Sequence, residues 1–241
     1  MIEDSCIHKI YASGVALEEV NRMEDVALNL KHIDTNSLIS CNIRCLKKNI
    51  NSFSVASLVS GSELICLQET WSKTSDPVLK YFKDRFTHQH SNSIGNGKGI
   101  ATLYNESFKV EKDISKSLYQ MTKLESKSLD VINIYRSQGA PTENFENELL
   151  ELIDLNRHTI ILGDFNLCHQ KNPHHRIFQM LRELGFRQQV RYPTHIECGT
   201  IDLVFTLSRN KAYLYEIIQQ GQHYTDHDLL SIRYTYNLTL K

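Results

Sequence analysis

The sequence has no apolar run approaching the ~18 unbroken residues that a membrane-spanning helix needs, so no membrane partner is expected. Its N-terminus, MIEDSCIHKIY, carries acids early and no apolar stretch of signal-peptide type, which speaks against secretion. The six cysteines form no C-x-x-C pair. Several lie inside apolar runs, where a free thiol behaves as a small hydrophobe, so reduced cysteines in an intracellular protein are expected. Cys168, His169, His174, His175 and Cys198 fit no ordinary zinc spacing. The glycine-rich segment 91–99 lacks the G-K-[ST] ending of a phosphate-binding loop and reads as a flexible loop. With a formal net charge of −1, the chain also lacks the bulk positive charge of a typical nucleic-acid binder. Arg44, Lys47, Lys48, Lys98, Arg136, Arg187 and Arg191 fall in or near predicted loops, where they form either solvated surface or a local basic patch. There is no internal repeat and no low-complexity tract.

What is present suits a globular α/β chain. The 241 residues, 41% hydrophobic and 23% charged, fit one large unit as well as two small ones. Within residues 1–36, Val20, Met23, Ala27 and Leu30 recur at helical spacing, which predicts one amphipathic helix over 16–31 in an N-terminal extension. From Ser37 the pattern changes to short apolar strands at 37–43, 63–68, 98–104, 129–135, 159–163, 201–206 and 229–235. Weaker strand signals cover 107–112, 118–125 and 213–219, and helical stretches fall near 49–60, 76–84, 143–156 and 174–185. So many strands with so few helices between them argue against a doubly wound sheet. Two packed sheets with helices outside fit better, as one domain over 37–241.

Polar residues gather at the ends of these strands. One apolar run ends at Asn42, another at Glu69, a third at Tyr135, and TIILG ends at Asp164 and Asn166. IDLVF carries Asp202 beside its apolar run, and Thr225-Asp226-His227 precede the last strand. Any one of these alone is most simply a turn former or a helix cap. Together they suit one chemistry, metal-assisted hydrolysis of a phosphoester, at a rim of the kind where sheet proteins bind ligands. Glu69 is a hard oxygen ligand of the type Mg²⁺ or Mn²⁺ prefers. Asp164 and Asn166, two apart in an extended chain, would point the same way, one activating water and the other supporting it. His227 beside a carboxylate could be held cationic to stabilise charge on phosphoryl oxygens.

The ordered blocks C-N-I-R (41–44), L-Q-E-T-W (67–71), I-N-I-Y (132–135), G-D-F-N (163–166), T-I-D-L-V-F (200–205) and T-D-H (225–227) resemble the endonuclease/exonuclease/phosphatase superfamily. Within it the sequence looks most like the apurinic-type endonuclease domain of non-LTR retrotransposons and related mobile elements, over about residues 37 to 236. The resemblance implies a four-layer α/β sandwich, two mixed β-sheets face to face with helices outside, and a site at one rim. It implies a Mg²⁺-dependent DNA endonuclease leaving a 3′-hydroxyl, with Mn²⁺ as an alternative ion. A phosphatase or RNA-directed phosphodiesterase of the same fold, or a degenerate binding domain, are the competing readings. It assigns Glu69, Asn42 and Asp226 to the metal, and Asp164, Asn166, Asp202, His227 and Tyr135 to catalysis. Thr194 is placed beside the scissile phosphate, and Arg44, Arg136 and Gln138 on the substrate. A reverse transcriptase or helicase encoded by the same element would be a partner, and a DNA substrate would imply a nuclear location. Three departures from the repair-type apurinic enzymes argue against specialised abasic-site recognition. Arg44 stands where those carry an acid, Gly199 where they set an aromatic, and Gln138 where they carry a phosphate-contacting asparagine.

Overall fold

Alternate residues along each central strand belong to different layers, and that alternation builds the fold. The computed structural model describes residues 10–11, 36–54, 61–72, 79–82, 86–92, 98–197, 199–207 and 215–234. One sheet contains β1 (Ile10–Tyr11), β2 (Asn36–Asn42), β3 (Leu64–Gln68), β4 (His88–Asn92), β5 (Ile100–Tyr104), β12 (Tyr215–Gln220) and β13 (Leu229–Tyr234), in the order β1-β12-β13-β2-β3-β5-β4. The other contains β6 (Lys109–Ser115), β7 (Tyr119–Glu125), β8 (Leu129–Arg136), β9 (His158–Asp164), β10 (Arg187–Gln188) and β11 (Asp202–Leu207), in the order β10-β11-β9-β8-β7-β6. Each sheet is mixed, with one parallel pair, β2/β3 in the first and β8/β9 in the second.

Leu38, Leu64 and Cys66 from the first sheet meet Val131, Ile160, Leu162 and Val204 from the second in one dry layer between the sheets. The intervening residues face outward. Ile39, Cys41, Ile65 and Leu67 pack beneath α1 (Leu46–Ser54) through Leu46, Ile50 and Phe53. Ile132, Ile134, Ile161 and Leu203 pack beneath α2 (Thr142–Leu152) and α3 (Arg176–Glu183), through Phe145, Leu149, Ile177, Phe178 and Leu181. These three interfaces define a four-layer α/β sandwich, as expected. Strands apolar on both faces explain why the central runs read as continuous apolar stretches rather than as alternation.

The differences from expectation lie at the edges. β4 (HQHSN) gave no strand signal because an edge strand can be polar along its length. The helix expected near 76–84 is, among the described residues, only a 3-10 turn at Leu79–Tyr81. The helix expected over 16–31 lies outside the described residues. Ile10 and Tyr11, within the expected extension, pair with Ile218 and Ile217 of β12. Among the described residues no helix is long and apolar enough to cross a membrane.

Candidate active site

Strand direction collects the polar residues. β2, β3, β8 and β9 are paired so that their C-terminal ends share one rim, where Asn42, Glu69, Tyr135 and Asp164 emerge. β11 runs antiparallel to β9, with Asp202 opposite Asp164. β13 runs antiparallel to β2, with Leu230 opposite Ser40, so the preceding Asp226 and His227 reach the same rim. The Thr225 hydroxyl donates to the Asn42 carbonyl at 2.9 Å and fixes that segment to the end of β2.

Asp164 is fully buried and accepts three hydrogen bonds. Asn42 Nδ2 donates to its Oδ2 at 2.8 Å, across from the other sheet. Asn166 donates from its backbone N–H to Oδ1 at 2.8 Å and from Nδ2 to Oδ2 at 3.0 Å. The pairing of Asp164 with Asn166 does not come from strand alternation, as expected from spacing. Asn166 has φ +47°, so the chain leaves the strand and folds back around the carboxylate in an Asx-type turn. Phe165 points into the layer beneath α2 and α3. Burial and the neighbouring Asp202 charge hold the Asp164 carboxyl well above the usual carboxylate range, and His227 opposes that shift.

His227 is buried, with Nδ1 at 2.9 and 3.1 Å from the two Asp202 oxygens. Burial disfavours the imidazolium, but the Asp202 charge and hydrogen bond outweigh it, aided by Asp164 and Asp226, and raise the pKa to about 9. The ring is therefore cationic at neutral pH, with Nε2 turned toward Asp226 Oδ1 at 3.8 Å. Tyr135, at the end of β8, is buried. Burial pushes its pKa up to about 12, and the Glu69 and Asp164 charges add to the rise, so it remains a neutral donor.

Glu69 has φ +48° in a turn held by Cys45 N–H on its carbonyl at 2.8 Å. Asp226 forms an ion pair with Arg44 and lies 3.3 Å from His195 Nε2 through Oδ2. Its Oδ1 is buried without a hydrogen-bond partner. That orphaned oxygen, with the half-exposed Glu69 carboxylate, is a donor set suited to a hard divalent cation that keeps several waters. Asp164, Asp202 and His227 also lie close enough to share an ion, but the bonds between His227 and Asp202, and those that Asp164 accepts from Asn42 and Asn166, already engage these groups.

Two residues expected on the substrate are turned inward. Arg136 is buried, donating from Nη2 to the Ala140 carbonyl at 2.7 Å and stacking its guanidinium over Phe145. It braces the loop after β8 instead of facing the rim. Thr194 is also buried, and its Oγ1 accepts from the N–H groups of Asp202 at 3.0 Å and Ile201 at 3.2 Å. It positions Asp202 rather than presenting a hydroxyl to a phosphate. Arg44 and Gln138 do line the open cavity of about 440 Å³ above the rim, with Glu69, Asn166, Asp226 and His227.

His195 was not singled out from the sequence, although it adjoins Thr194. Its ring packs edge-on against His227, centroids 4.7 Å apart, and it lines the same cavity. Only the pairing of the 194–199 loop with the segment before β13 brings it there, through Ile196 N–H on the Asp226 carbonyl at 2.9 Å.

Comparison with known proteins gives the same outline. A family model described as Endonuclease/Exonuclease/phosphatase family matches residues 39–206. No curated protein matches the sequence. Among solved structures, the fold is similar to an AP endonuclease from Archaeoglobus fulgidus, with TM-score 0.63 and 14% identity, covering 82% of this chain and 98% of that one. It is similar to the 3′ phosphatase NExo from Neisseria bound to product DNA hairpin, with TM-score 0.63, 14% identity and coverage of 82% and 98%. It is also similar to the endonuclease domain of TRAS1, a telomere-specific non-LTR retrotransposon, with TM-score 0.60, 13% identity and coverage of 83% and 97%.

Proposed function

The chain belongs to the endonuclease/exonuclease/phosphatase family, and from that premise we propose that it is a Mg²⁺-dependent DNA endonuclease, nicking one strand and leaving a 3′-hydroxyl. The observation that carries this reading is the 2.8 Å bond from Asn42 to Asp164, which joins the metal side of the rim on one sheet to the water-activating carboxylate on the other. Glu69, Asn42 and Asp226 would hold the cation. When bound, it would supply Lewis-acid stabilisation of the phosphate oxygen it touches.

The chain's own residues divide the remaining work. Asp164, in its ionised form, accepts the proton of the attacking water, with Asn42 and Asn166 fixing its orientation. As water bonds to phosphorus, negative charge grows on the phosphoryl oxygens, the bond to the 3′-oxygen breaks, and that oxygen leaves with the electron pair and takes a proton from solvent to become the 3′-hydroxyl. Cationic His227, oriented by Asp202, and the neutral Tyr135 hydroxyl are fixed donors for that charge, needing little reorganisation. DNA as substrate draws support from the fold's likeness to a 3′ phosphatase with bound DNA and to a retrotransposon endonuclease domain. Residence in the nucleus, an origin in a mobile element with a reverse transcriptase or helicase partner, and a catalytic unit spanning 37–241 belong to the same proposal.

Supercoiled plasmid incubated with the protein and Mg²⁺ is expected to convert to nicked circles, and EDTA to stop the conversion. Release of phosphate from small phosphomonoesters with plasmid left intact would favour a phosphatase instead. DNA retention on a gel without cleavage would point to a binding domain. Within the hydrolase reading, His227→Ala is expected to lower turnover by at least ~10²-fold. Turnover within a few-fold of wild type would remove that histidine from the mechanism.

A further inference from the structure

Beside the catalytic rim lies a second cavity of about 630 Å³, walled in part by Arg44, Lys48, Trp71, Ile196, His223 and Tyr224 and sharing Arg44 and Asp226 with the first. The proposed hydrolysis uses none of its aromatic or aliphatic surface. We propose that this cavity receives the base of a nucleotide adjoining the scissile phosphate, with Trp71 as its stacking face and Lys48 and Arg44 meeting the phosphate beside it. The proposal rests on the nuclease reading above and adds where an unpaired base would go.

Trp71 carries the argument. It is 43% exposed, beside Ile196 at 77%, so two large apolar side chains stand in water at the edge of a phosphodiester site. Its backbone has φ +49°, an unfavourable conformation for a bulky residue that persists only when its surroundings enforce it. They do so here: Trp71 N–H donates to the Lys98 carbonyl at 2.9 Å, Thr70 N–H to Gly99 at 3.1 Å, and Leu46 N–H to Thr70 at 2.8 Å. The indole Nε1 donates to Glu69 Oε2 at 3.3 Å, which orients the ring one hydrogen bond from a proposed metal ligand. A single turn thus sets Glu69 at the rim and holds a flat aromatic face outside it. Stacking on such a face accepts any base, and the neighbouring cations match the charge of a strand that tracks from one cavity to the other.

Trp71 is the chain's single tryptophan, so its emission reports on this cavity alone. A mixed-sequence, end-labelled single-stranded oligonucleotide, titrated in EDTA to prevent cleavage, is expected to quench it saturably. The same oligonucleotide carrying one base-free residue, moved along the strand, should bind about 10-fold more weakly at one position than at the others. Trp71→Ala should abolish that positional difference and Trp71→Phe should retain most of it, a pattern that a loss of folding cannot produce. Ile196→Ser should diminish it. If the label's anisotropy reports binding while Trp71 emission stays constant and every base-free position binds alike, the subsite is wrong and the nuclease reading is untouched. If quenching and positional preference appear but plasmid is never nicked, the nuclease reading fails and the base site stands.

Discussion

Asp164→Asn is expected to slow phosphodiester cleavage by about 10³-fold or more while leaving thermal stability nearly unchanged. The loss of rate follows from the role: an amide cannot take a proton from water. Stability is preserved because two effects oppose each other. The Asp164 carboxylate accepts bonds from Asn42 Nδ2, Asn166 Nδ2 and Asn166 N–H. An amide would keep its oxygen toward the two side-chain donors and set its NH₂ against the backbone N–H, losing one bond worth about 1 kcal/mol. Against that, the substitution removes a buried charge that faces Asp202, the same repulsion and desolvation that hold the Asp164 carboxyl above its ordinary range. Turnover on a labelled duplex, measured beside urea unfolding of the same preparation, separates the two quantities. A residual rate within ten-fold of wild type would remove Asp164 as the base.

The second large effect is on folding. Gly163→Ala places a methyl group 2.0 Å from the carbonyl oxygen of Ile134, in the partner strand β8, where no rotamer change can relieve it. Gly163 also has φ +131°, outside the range that residues with a Cβ ordinarily adopt. The affected pair is β8/β9, the parallel core of its sheet, with Ile134 in direct register with Gly163. Backbone strain of ~1–3 kcal/mol plus forced separation of two central strands should destabilise the chain by roughly 4 kcal/mol or more. For a domain of this size the melting temperature should then fall by ~10 °C, or the protein should fail to accumulate in soluble form. A melting temperature within ~2 °C of wild type would mean that the strand pair can open at this point without loss. Asp164→Asn and Gly163→Ala are adjacent in sequence yet are expected to act on different quantities, the first on rate and the second on stability.

The central strands were legible in the sequence because burial on both faces leaves continuous branched runs such as Ile160-Ile161-Leu162, and such runs have few other uses. The edges were less legible. β4 and β6 lie at the sheet margins, where solvent tolerates polar residues, so β4 gave no strand signal and β6 only the weak one over 107–112.

The sequence by itself determined the layer architecture and the kind of chemistry. It places hard carboxylates, amides and a histidine where apolar runs end, and the order of its blocks identifies the family. Tertiary structure alone decided which side chains meet at the rim. Two sheets laid face to face bring Asn42 to Asp164, 122 residues apart in the chain. They turn Arg136 and Thr194 inward as braces, and carry His195 against His227. The physical reason is that strand periodicity fixes only the face on which a side chain lies. Its partner depends on strand order, direction and the path of the intervening loops, which are set by how two whole sheets bury their shared apolar layer.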